Sequence, residues 1–71
     1  MNTSINFKTV SMNLKGARVR KGLTQQDVAE RLGVSLTTIR NLENNPETIN
    51  LKKMRQFAEL YGCSASSFFM E

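Results

Sequence analysis

Apolar residues recur at three- and four-residue spacing along most of the chain, which is the pattern of helices that bury one face. The pattern predicts helices over residues 12–21, 25–32, 36–44 and 50–61, followed by a short helix that contains Phe68 and Phe69. The sequence therefore predicts an all-α fold in which five helices surround one core.

Residues with strong preferences for helix ends mark the predicted boundaries. Asp27 lies three residues after Thr24, where the positive end of a helix favours a carboxylate. Serine or threonine precedes most of the predicted helices and can accept a backbone N–H of the first turn. These N-caps are Ser11, Thr24, Ser35 and Ser64. Glycine, which adopts the left-handed conformation without a Cβ penalty, follows the helices at Gly22, Gly33 and Gly62.

The residues on the apolar faces of these helices are expected to form the core. Two adjacent phenylalanines cannot easily face one small interior, so one of Phe68 and Phe69 is expected at the surface with Met70. An exposed apolar patch of this kind is typical of a contact with another protein. The expected core residues of the longer helices are Leu14, Ala17, Val19, Val28, Ala29, Leu32, Ile39, Leu42, Leu51, Met54, Phe57, Ala58 and Tyr61.

The first residues of the chain lack the helical period. Ile5 and Phe7 alternate with polar neighbours, which is a weak strand pattern. We therefore divide the chain into an N-terminal arm or short strand, residues 1–11, and a helical domain, residues 12–71. The first segment can be a mobile arm, a strand used for pairing, or a tether onto the body of the domain.

The composition is that of one small globular domain. The chain has 71 residues, of which 39% are hydrophobic and 23% are charged, which leaves little room for a deep enzyme cleft. No apolar run is long enough to cross a membrane, and the first residues do not resemble a secretion signal. The single cysteine, Cys63, cannot form an internal disulfide and fits a reducing compartment. We expect a cytoplasmic protein.

Side chains that usually carry catalysis or bind metals are scarce. The chain has no histidine, and Cys63 has no nearby base in the sequence. The six acidic residues show no metal-ligand grouping, and no glycine-rich loop is present to hold a phosphate group. We therefore expect a protein that is not an enzyme and that uses no metal, no cofactor and no small-molecule ligand.

The charge of the chain favours a polyanionic partner. The formal net charge is +4 at pH 7. Basic residues crowd into residues 15–21 and 52–55, and the acidic residues lie mostly between and after these clusters. Such clustering is typical of proteins that bind nucleic acid.

The two central predicted helices and the turn between them carry the functional signal. Ala29 is small enough to let two helices approach closely, Gly33 permits a tight turn, and Val34 closes this turn from the inside. Ile39 and Leu42 anchor one side of the second helix and leave its other side free. Two helices in this arrangement form a helix-turn-helix, whose second helix enters the major groove of DNA.

The sequence resembles the lambda-repressor/Cro-like (XRE-type) helix-turn-helix family over about residues 12–69. The resemblance implies a compact five-helix DNA-binding domain with a short N-terminal arm. It also implies a transcription regulator that inserts residues 36–44 into the major groove of an operator in double-stranded DNA. The residues that carry the resemblance are Arg18, Gly22–Gln25, Val28–Ala29, Leu32–Ser35, Ile39, Leu42–Asn44, Pro46 and Ala58–Ser64.

The expected base contacts lie on the outer side of the second helix of this motif. Thr37 and Asn41 are four residues apart and therefore share a face. Asparagine can bond adenine through two atoms, and threonine can contact a base edge or a methyl group. Arg40 either reaches a guanine or a phosphate, or completes a solvated face. Leu36 stands where the family usually has a polar residue, and it either contacts a thymine methyl group or lies along the DNA backbone.

The expected phosphate contacts surround this face. The resemblance implies that Gln25 and Asn44 contact the DNA backbone, and Ser35 is expected to act both as a helix cap and as a phosphate contact. Arg20 and Lys21 are expected at more distant phosphates, together with Lys52 and Lys53. For each of these basic side chains, an ordinary solvated position is the alternative.

The resemblance also implies a structural ion pair between Arg18 and Glu43, which fixes the second helix of the motif against the first helix of the domain. The family often has glycine after the Glu–Asn dipeptide, where this chain has Asn45. Asparagine tolerates the left-handed conformation, so we expect the turn to be preserved.

Several biological settings fit this sequence. The resemblance implies a homodimer, formed in solution or only on DNA, that binds two DNA half-sites about one helical turn apart. A phage Cro-like protein or repressor and the controller of a restriction–modification system are both compact in this way. The alternative is a protein-interaction module such as an antitoxin, which would bind its partner through the Phe68–Phe69 end or the arm. An RNA-binding role is a third possibility.

Overall fold

The computed structural model describes residues 5–71, which contain four α-helices, two 3₁₀ helices and no strand. The all-α prediction is confirmed, while the prediction of five helices is wrong because the last one is a 3₁₀ helix. Within residues 5–71, no helix is both long and apolar enough to span a lipid bilayer. The α-helices are α1 (Phe7–Arg20), α2 (Gln25–Leu32), α3 (Leu36–Asn44) and α4 (Leu51–Tyr61), and the 3₁₀ helices are Pro46–Thr48 and Ala65–Phe69.

Helix α1 begins earlier than predicted. Its N-cap is Asn6, whose side chain accepts the backbone N–H groups of Lys8 and Thr9, so the prediction of Ser11 as the cap is wrong. The earlier start adds a turn that buries Val10 in the core. The predicted boundary at residue 11 therefore falls inside a helix, and residues 7–11 are not an extended arm. Residues 1–4 of the predicted arm lie outside the described residues.

Helices α2 and α3 have the bounds that the sequence predicts. Thr24 and Asp27 form a capping box, in which the Thr24 side chain accepts the Asp27 N–H and the Asp27 carboxylate accepts the Thr24 N–H. Gly33 ends α2 with φ +70°, a conformation that a side chain would strain. Ser35 then caps α3 by accepting the backbone N–H of Thr38. The local sequence alone thus fixes both ends of the turn.

The segment after α3 differs from the prediction in detail. Asn45 ends α3 with φ −130° and ψ 66°, so it does not take the expected left-handed conformation. Pro46 then starts a 3₁₀ helix, and Asn50 is the N-cap of α4 rather than its first residue. Ser64 makes no side-chain cap, but its carbonyl oxygen accepts the N–H of Ser67.

All these elements pack around one hydrophobic core. Val19 and Leu51 were expected in it but are 64% and 66% exposed, because both lie on outward faces of their helices. As expected, Phe68 is buried, whereas Phe69 and Met70 are 43% and 66% exposed. Leu32, Leu42 and Cys63 are only partly buried and pack against the edge of the core. The buried apolar residues are Val10, Leu14, Ala17, Val28, Ala29, Ile39, Met54, Phe57, Ala58, Tyr61 and Phe68.

The C-terminal 3₁₀ helix is tied to α1 by one side chain. The Nδ2 atom of Asn13 donates to the carbonyl oxygens of Phe68 at 2.8 Å and of Met70 at 2.7 Å. Phe68 also packs edge-to-face on Tyr61, with ring centroids 6.4 Å apart. The segment that carries the exposed Phe69 and Met70 side chains is therefore held in place on the domain.

Candidate nucleic-acid interface

Helix α3 has one anchored side and one free side. Ile39 and Glu43 are fully buried, and Leu42 packs against the core. Thr37, Arg40 and Asn41, which were predicted as base contacts, are all exposed. The free side thus carries a hydroxyl, a guanidinium and a carboxamide, which are chemical groups that can form hydrogen bonds with base edges or phosphates.

The fourth predicted base contact, Leu36, is the first residue of α3 and is half-buried. It is not among the partly buried apolar residues that pack against the core, in contrast to its neighbours Leu32 and Val34. The structure therefore places Leu36 at the end of α3 that follows the turn, as an apolar side chain outside the core.

Helix α2 holds α3 in position through close packing at the turn. Ala29, on α2, is 1% exposed, and Ile39, on α3, is 0% exposed. The backbone N–H of Val34 donates to the carbonyl oxygen of Ala29 at 3.0 Å, which closes the end of α2 in the manner of a helix C-cap motif. A larger side chain at Ala29 has no free volume to occupy, because protein interiors are close-packed.

A buried carboxylate joins three of the helices. The carboxylate of Glu43, on α3, accepts Arg18 Nε from α1 at Oε2 and Gln25 Nε2 from α2 at Oε1, at 2.7 Å and 2.9 Å. Glu43 is 1% exposed, and the Arg18 side chain is 14% exposed. Arg18 Nη1 also donates to the carbonyl oxygen of Leu23 at 3.0 Å. Both carboxylate oxygens are therefore satisfied, which a buried charge requires.

Helix α1 also contacts the last turn of α3 through a row of polar side chains. The Ser11 hydroxyl donates to the backbone carbonyl of Glu43, and Lys15 Nζ donates to Oδ1 of Asn44 at 3.0 Å. Together with Arg18, these residues lie at positions i, i+4 and i+7 and so share one face of α1. The two cations also lie near the negative end of the α3 dipole, where positive charge is favourable.

The predicted phosphate contacts occupy different places. Gln25 is the first residue of α2, and its amide uses one of its two N–H groups on Glu43. Ser35 accepts the Thr38 N–H at 3.1 Å and shares a hydrogen bond with the Thr38 hydroxyl at 2.9 Å. Asn44 is exposed at the end of α3, and its amide nitrogen is separate from the oxygen that Lys15 contacts.

The structure does not bring Arg20 and Lys21 onto α3. A Cβ built on Gly16 would lie 3.3 Å from Nη1 of Arg20, so this guanidinium folds back along α1. A Cβ built on Gly62 would lie 3.4 Å from Nζ of Lys21, so this ammonium lies at the C-terminal end of α4. Both side chains are exposed, and these positions suit a general positive field.

Sequence reasoning missed the roles of Ser11 and Lys15. Ser11 was interpreted as the cap of a helix beginning at residue 12. That boundary leaves Ser11 outside the helix, so its shared face with Lys15 and Arg18 could not be recognised. The available signal was Asn6, a strong N-cap residue four positions before Val10, which extends the apolar face of α1 by one turn. The contact between Gln25 and Glu43 had no sequence signal, because it joins residues on two different helices.

Two helices that meet at a glycine turn, with the second helix anchored inside and polar outside, define a helix-turn-helix protein. The sequence profile of the helix-turn-helix family matches residues 14–68, most of the chain. The chain therefore belongs to the XRE-type, lambda-repressor-like helix-turn-helix family of DNA-binding transcription regulators. No solved structure matches the chain at a significant level.

Proposed function

We propose that the protein is a sequence-specific regulator of transcription that inserts α3 into the major groove of an operator. The observation that carries this proposal is the free side of α3, which has no carboxylate because the only acidic residue of the helix, Glu43, is buried. Phosphates line the groove on both sides, so an exposed carboxylate would be repelled.

The polar groups on α3 provide base recognition in this proposal. Asn41 can bond N6 and N7 of adenine, and Arg40 can bond O6 and N7 of guanine. Thr37 lies one turn before Asn41 on the same face and can contact an adjacent base edge or methyl group. Leu36 is the remaining base contact.

Residues at the ends of α2 and α3 provide the phosphate contacts. The second amide N–H of Gln25 remains for a phosphate oxygen while its first holds Glu43. Gln25 also stands at the N-terminus of α2, where the helix dipole favours an anion. Ser35 and Asn44 flank α3 at its two ends, so contacts there would set its depth and register in the groove.

Arg20 and Lys21 have a weaker part in the proposal. Their side chains follow α1 and α4 rather than α3, so we assign them to outer phosphates and to the general attraction of DNA. This attraction is independent of sequence and falls with salt concentration.

A homodimer, formed in solution or only on DNA, completes the proposal. Phe69 and Met70 are exposed on a segment that Asn13 fixes to α1, so a partner would meet an ordered apolar surface. A two-fold dimer would present two copies of α3 to half-sites about 34–36 Å apart. We place the regulator in the cytoplasm, where Cys63 stays reduced. Its activity follows its concentration, as in phage Cro-like proteins, phage repressors and restriction–modification controllers.

A protein-interaction module such as an antitoxin is the second candidate function. The exposed Phe69 and Met70 side chains favour it, because the same surface that would pair two copies could bind a different protein. In that case the face of α3 would have no preferred DNA sequence.

Selection of bound duplexes from a random DNA pool at about 0.15 M salt separates these functions. We expect a two-fold symmetric site with half-sites about ten base pairs apart. The Arg40→Ala/Asn41→Ala double variant keeps the buried side of α3 and serves as the matched control, for which we expect a degraded motif. Recovery of no motif from the wild-type protein, with only salt-sensitive binding, would overturn the proposal in favour of the protein-interaction module.

A further inference from the structure

Leu36 is an apolar residue between two polar residues of the sequence, Ser35 and Thr37. It opens α3 directly after the cap Ser35, is half-buried, and is not packed against the core. In the same turn, the Ser35 and Thr38 hydroxyl groups share a hydrogen bond, and Ser35 Oγ also accepts the Thr38 N–H. Leu36 therefore presents only CH groups at the end of the helix that contacts base edges in this fold.

We propose that Leu36 contacts the C5-methyl group of a pyrimidine in the operator. This inference rests on the proposed function and names one specificity of the same site. The methyl group of thymine is the one apolar group that the bases display in the major groove. A leucine at this position gains from burying that group and has no hydrogen bond to offer any other base edge.

The chemistry of this contact has a consequence for regulation. A methylated cytosine carries the same group at C5 as thymine does, so Leu36 recognises a 5-methylpyrimidine rather than thymine alone. Transfer of a methyl group from a sulfonium methyl donor to C5 of a cytosine at the contacted position, with loss of the C5 proton, would therefore strengthen operator binding. The class of reaction that supplies this second ligand is C5-methylation of cytosine in DNA.

Replacement of thymine by uracil in the selected operator tests the contact, because it removes only the methyl group. We expect roughly fourfold weaker binding at one position of each half-site, the effect of exposing one methyl-sized group. The Leu36→Ala variant should bind the thymine and uracil duplexes equally at that position. Leu51→Ala is the matched control, since Leu51 is also the first residue of its helix, and it should keep the wild-type ratio.

A second pair of duplexes tests the methylated base. With cytosine at the same position, we expect roughly fourfold tighter binding after C5-methylation for the wild-type protein and no change for Leu36→Ala. Thr37 also has a methyl group, and Thr37→Ser removes it. Loss of the ratio in Thr37→Ser together with its retention in Leu36→Ala would overturn the inference.

Different results would overturn the proposed function and the contact assigned to Leu36. If no operator is selected from the random pool, the proposed function is overturned. If an operator is selected but uracil replacement has no effect at any thymine, only the role of Leu36 is overturned. Because uracil replacement modifies the DNA and uses the wild-type protein, this arm of the test does not depend on whether a variant folds.

Discussion

Nε of Arg18 lies 2.7 Å from Oε2 of Glu43, and the glutamate is almost completely buried. The pair joins the first helix of the domain to the inner side of the helix that is proposed to enter DNA. Gln25, on α2, donates to the other carboxylate oxygen and so joins a third helix to the pair. A buried charge with both oxygens bonded favours this arrangement of the three helices, since displacement of α1 or α2 would remove a partner from a buried carboxylate.

Arg18→Ala is expected to destabilise the domain by about 3–5 kcal/mol, because it leaves the Glu43 charge buried with one partner. This loss is comparable with the whole net stability of a domain of this size, roughly 3–5 kcal/mol, so the variant should be largely unfolded at 25 °C. Urea unfolding followed by circular dichroism measures the change.

Arg40→Ala is the matched control for this change, because Arg40 is exposed and makes no ion pair within residues 5–71. Its unfolding free energy should change by about 0.5 kcal/mol or less. A loss below about 1 kcal/mol in Arg18→Ala would contradict the structural role of the pair, since exposed pairs have such values.

Ala29→Leu is expected to separate α2 from α3. Ala29 is 1% exposed, and additional methylene groups in a packed interior cost about 1–3 kcal/mol. The displacement should also reduce specific DNA binding, because the angle between the two helices places α3 in the groove. Urea unfolding and binding to the selected operator measure the two effects.

Glu30→Leu adds a leucine on the exposed side of the same helix and is the control for Ala29→Leu. It should leave the unfolding free energy within about 0.5 kcal/mol. Wild-type stability and wild-type operator affinity in Ala29→Leu would contradict the close packing of α2 against α3.

The parts of the fold that could be predicted from sequence are those fixed by local chemistry. Both ends of α2 and the start of α3 follow from Thr24, Asp27, Gly33 and Ser35, whose effects reach only a few residues. The start of α1 was predicted late because an apparent strand pattern at Ile5 and Phe7 concealed the cap at Asn6. Neither side chain of that pattern is buried.

The candidate site divides in the same way. The free side of α3 follows from helical periodicity, so the exposed positions of Thr37, Arg40 and Asn41 could be predicted. The attachment of α1 to α3 depends on contacts between residues far apart in sequence, such as the hydrogen bond from Ser11 to the carbonyl oxygen of Glu43. No period or cap preference reports such contacts, and they required the tertiary structure.

Asn41→Ala is expected to lower discrimination at one base pair of the operator by about 1–3 kcal/mol and to leave non-specific binding nearly unchanged. The reason is that a base contact acts only on the correct sequence, whereas phosphate contacts act on all sequences. Binding to the operator, to its single-base variants and to unrelated DNA measures both the discrimination between bases and the non-specific affinity. Equal weakening on every duplex would instead assign Asn41 to the DNA backbone.

The capping box at α2 predicts a pH dependence of stability. Hydrogen bonds from the backbone and side chain of Thr24 lower the pKa of Asp27 below its ordinary value. The carboxylate therefore contributes stability above the pKa of the unfolded chain, about 3.9, and this contribution is lost as pH falls through the lower folded pKa. Unfolding of Asp27→Asn over a series of acidic pH values should show a shallower loss than the wild type.

An exposed acid outside any capping box is the control for Asp27→Asn. Glu47 lies in the first 3₁₀ helix, which has no side-chain cap. The pH profile of Glu47→Gln should therefore follow that of the wild-type protein more closely than the profile of Asp27→Asn does. Identical acid profiles for Asp27→Asn and the wild type would show that the capping box does not stabilise α2.

Tyr61→Phe is expected to stabilise the protein. The Tyr61 hydroxyl is buried among Phe57, Phe68 and neighbouring core residues and has no hydrogen-bond partner within residues 5–71. Removing an unsatisfied buried hydroxyl should raise the unfolding free energy by about 1 kcal/mol near neutral pH. Urea unfolding of both proteins at pH 7 measures the difference. A loss of about 1 kcal/mol or more would show instead that the hydroxyl is bonded to a buried water.

The same substitution should remove an alkaline loss of stability. Burial, and secondly the negative charge of Glu43, raise the pKa of Tyr61 well above its ordinary value. The unfolded chain ionises its tyrosine near pH 10 while the folded protein does not, so stability falls as pH rises above about 10. This decrease should be smaller in Tyr61→Phe, and the lysines, which are common to both proteins, cancel in the comparison. Because Tyr61 is the only tyrosine of the chain, phenolate absorbance reports its ionisation directly, and titration near pH 10 in the folded wild type would contradict its burial.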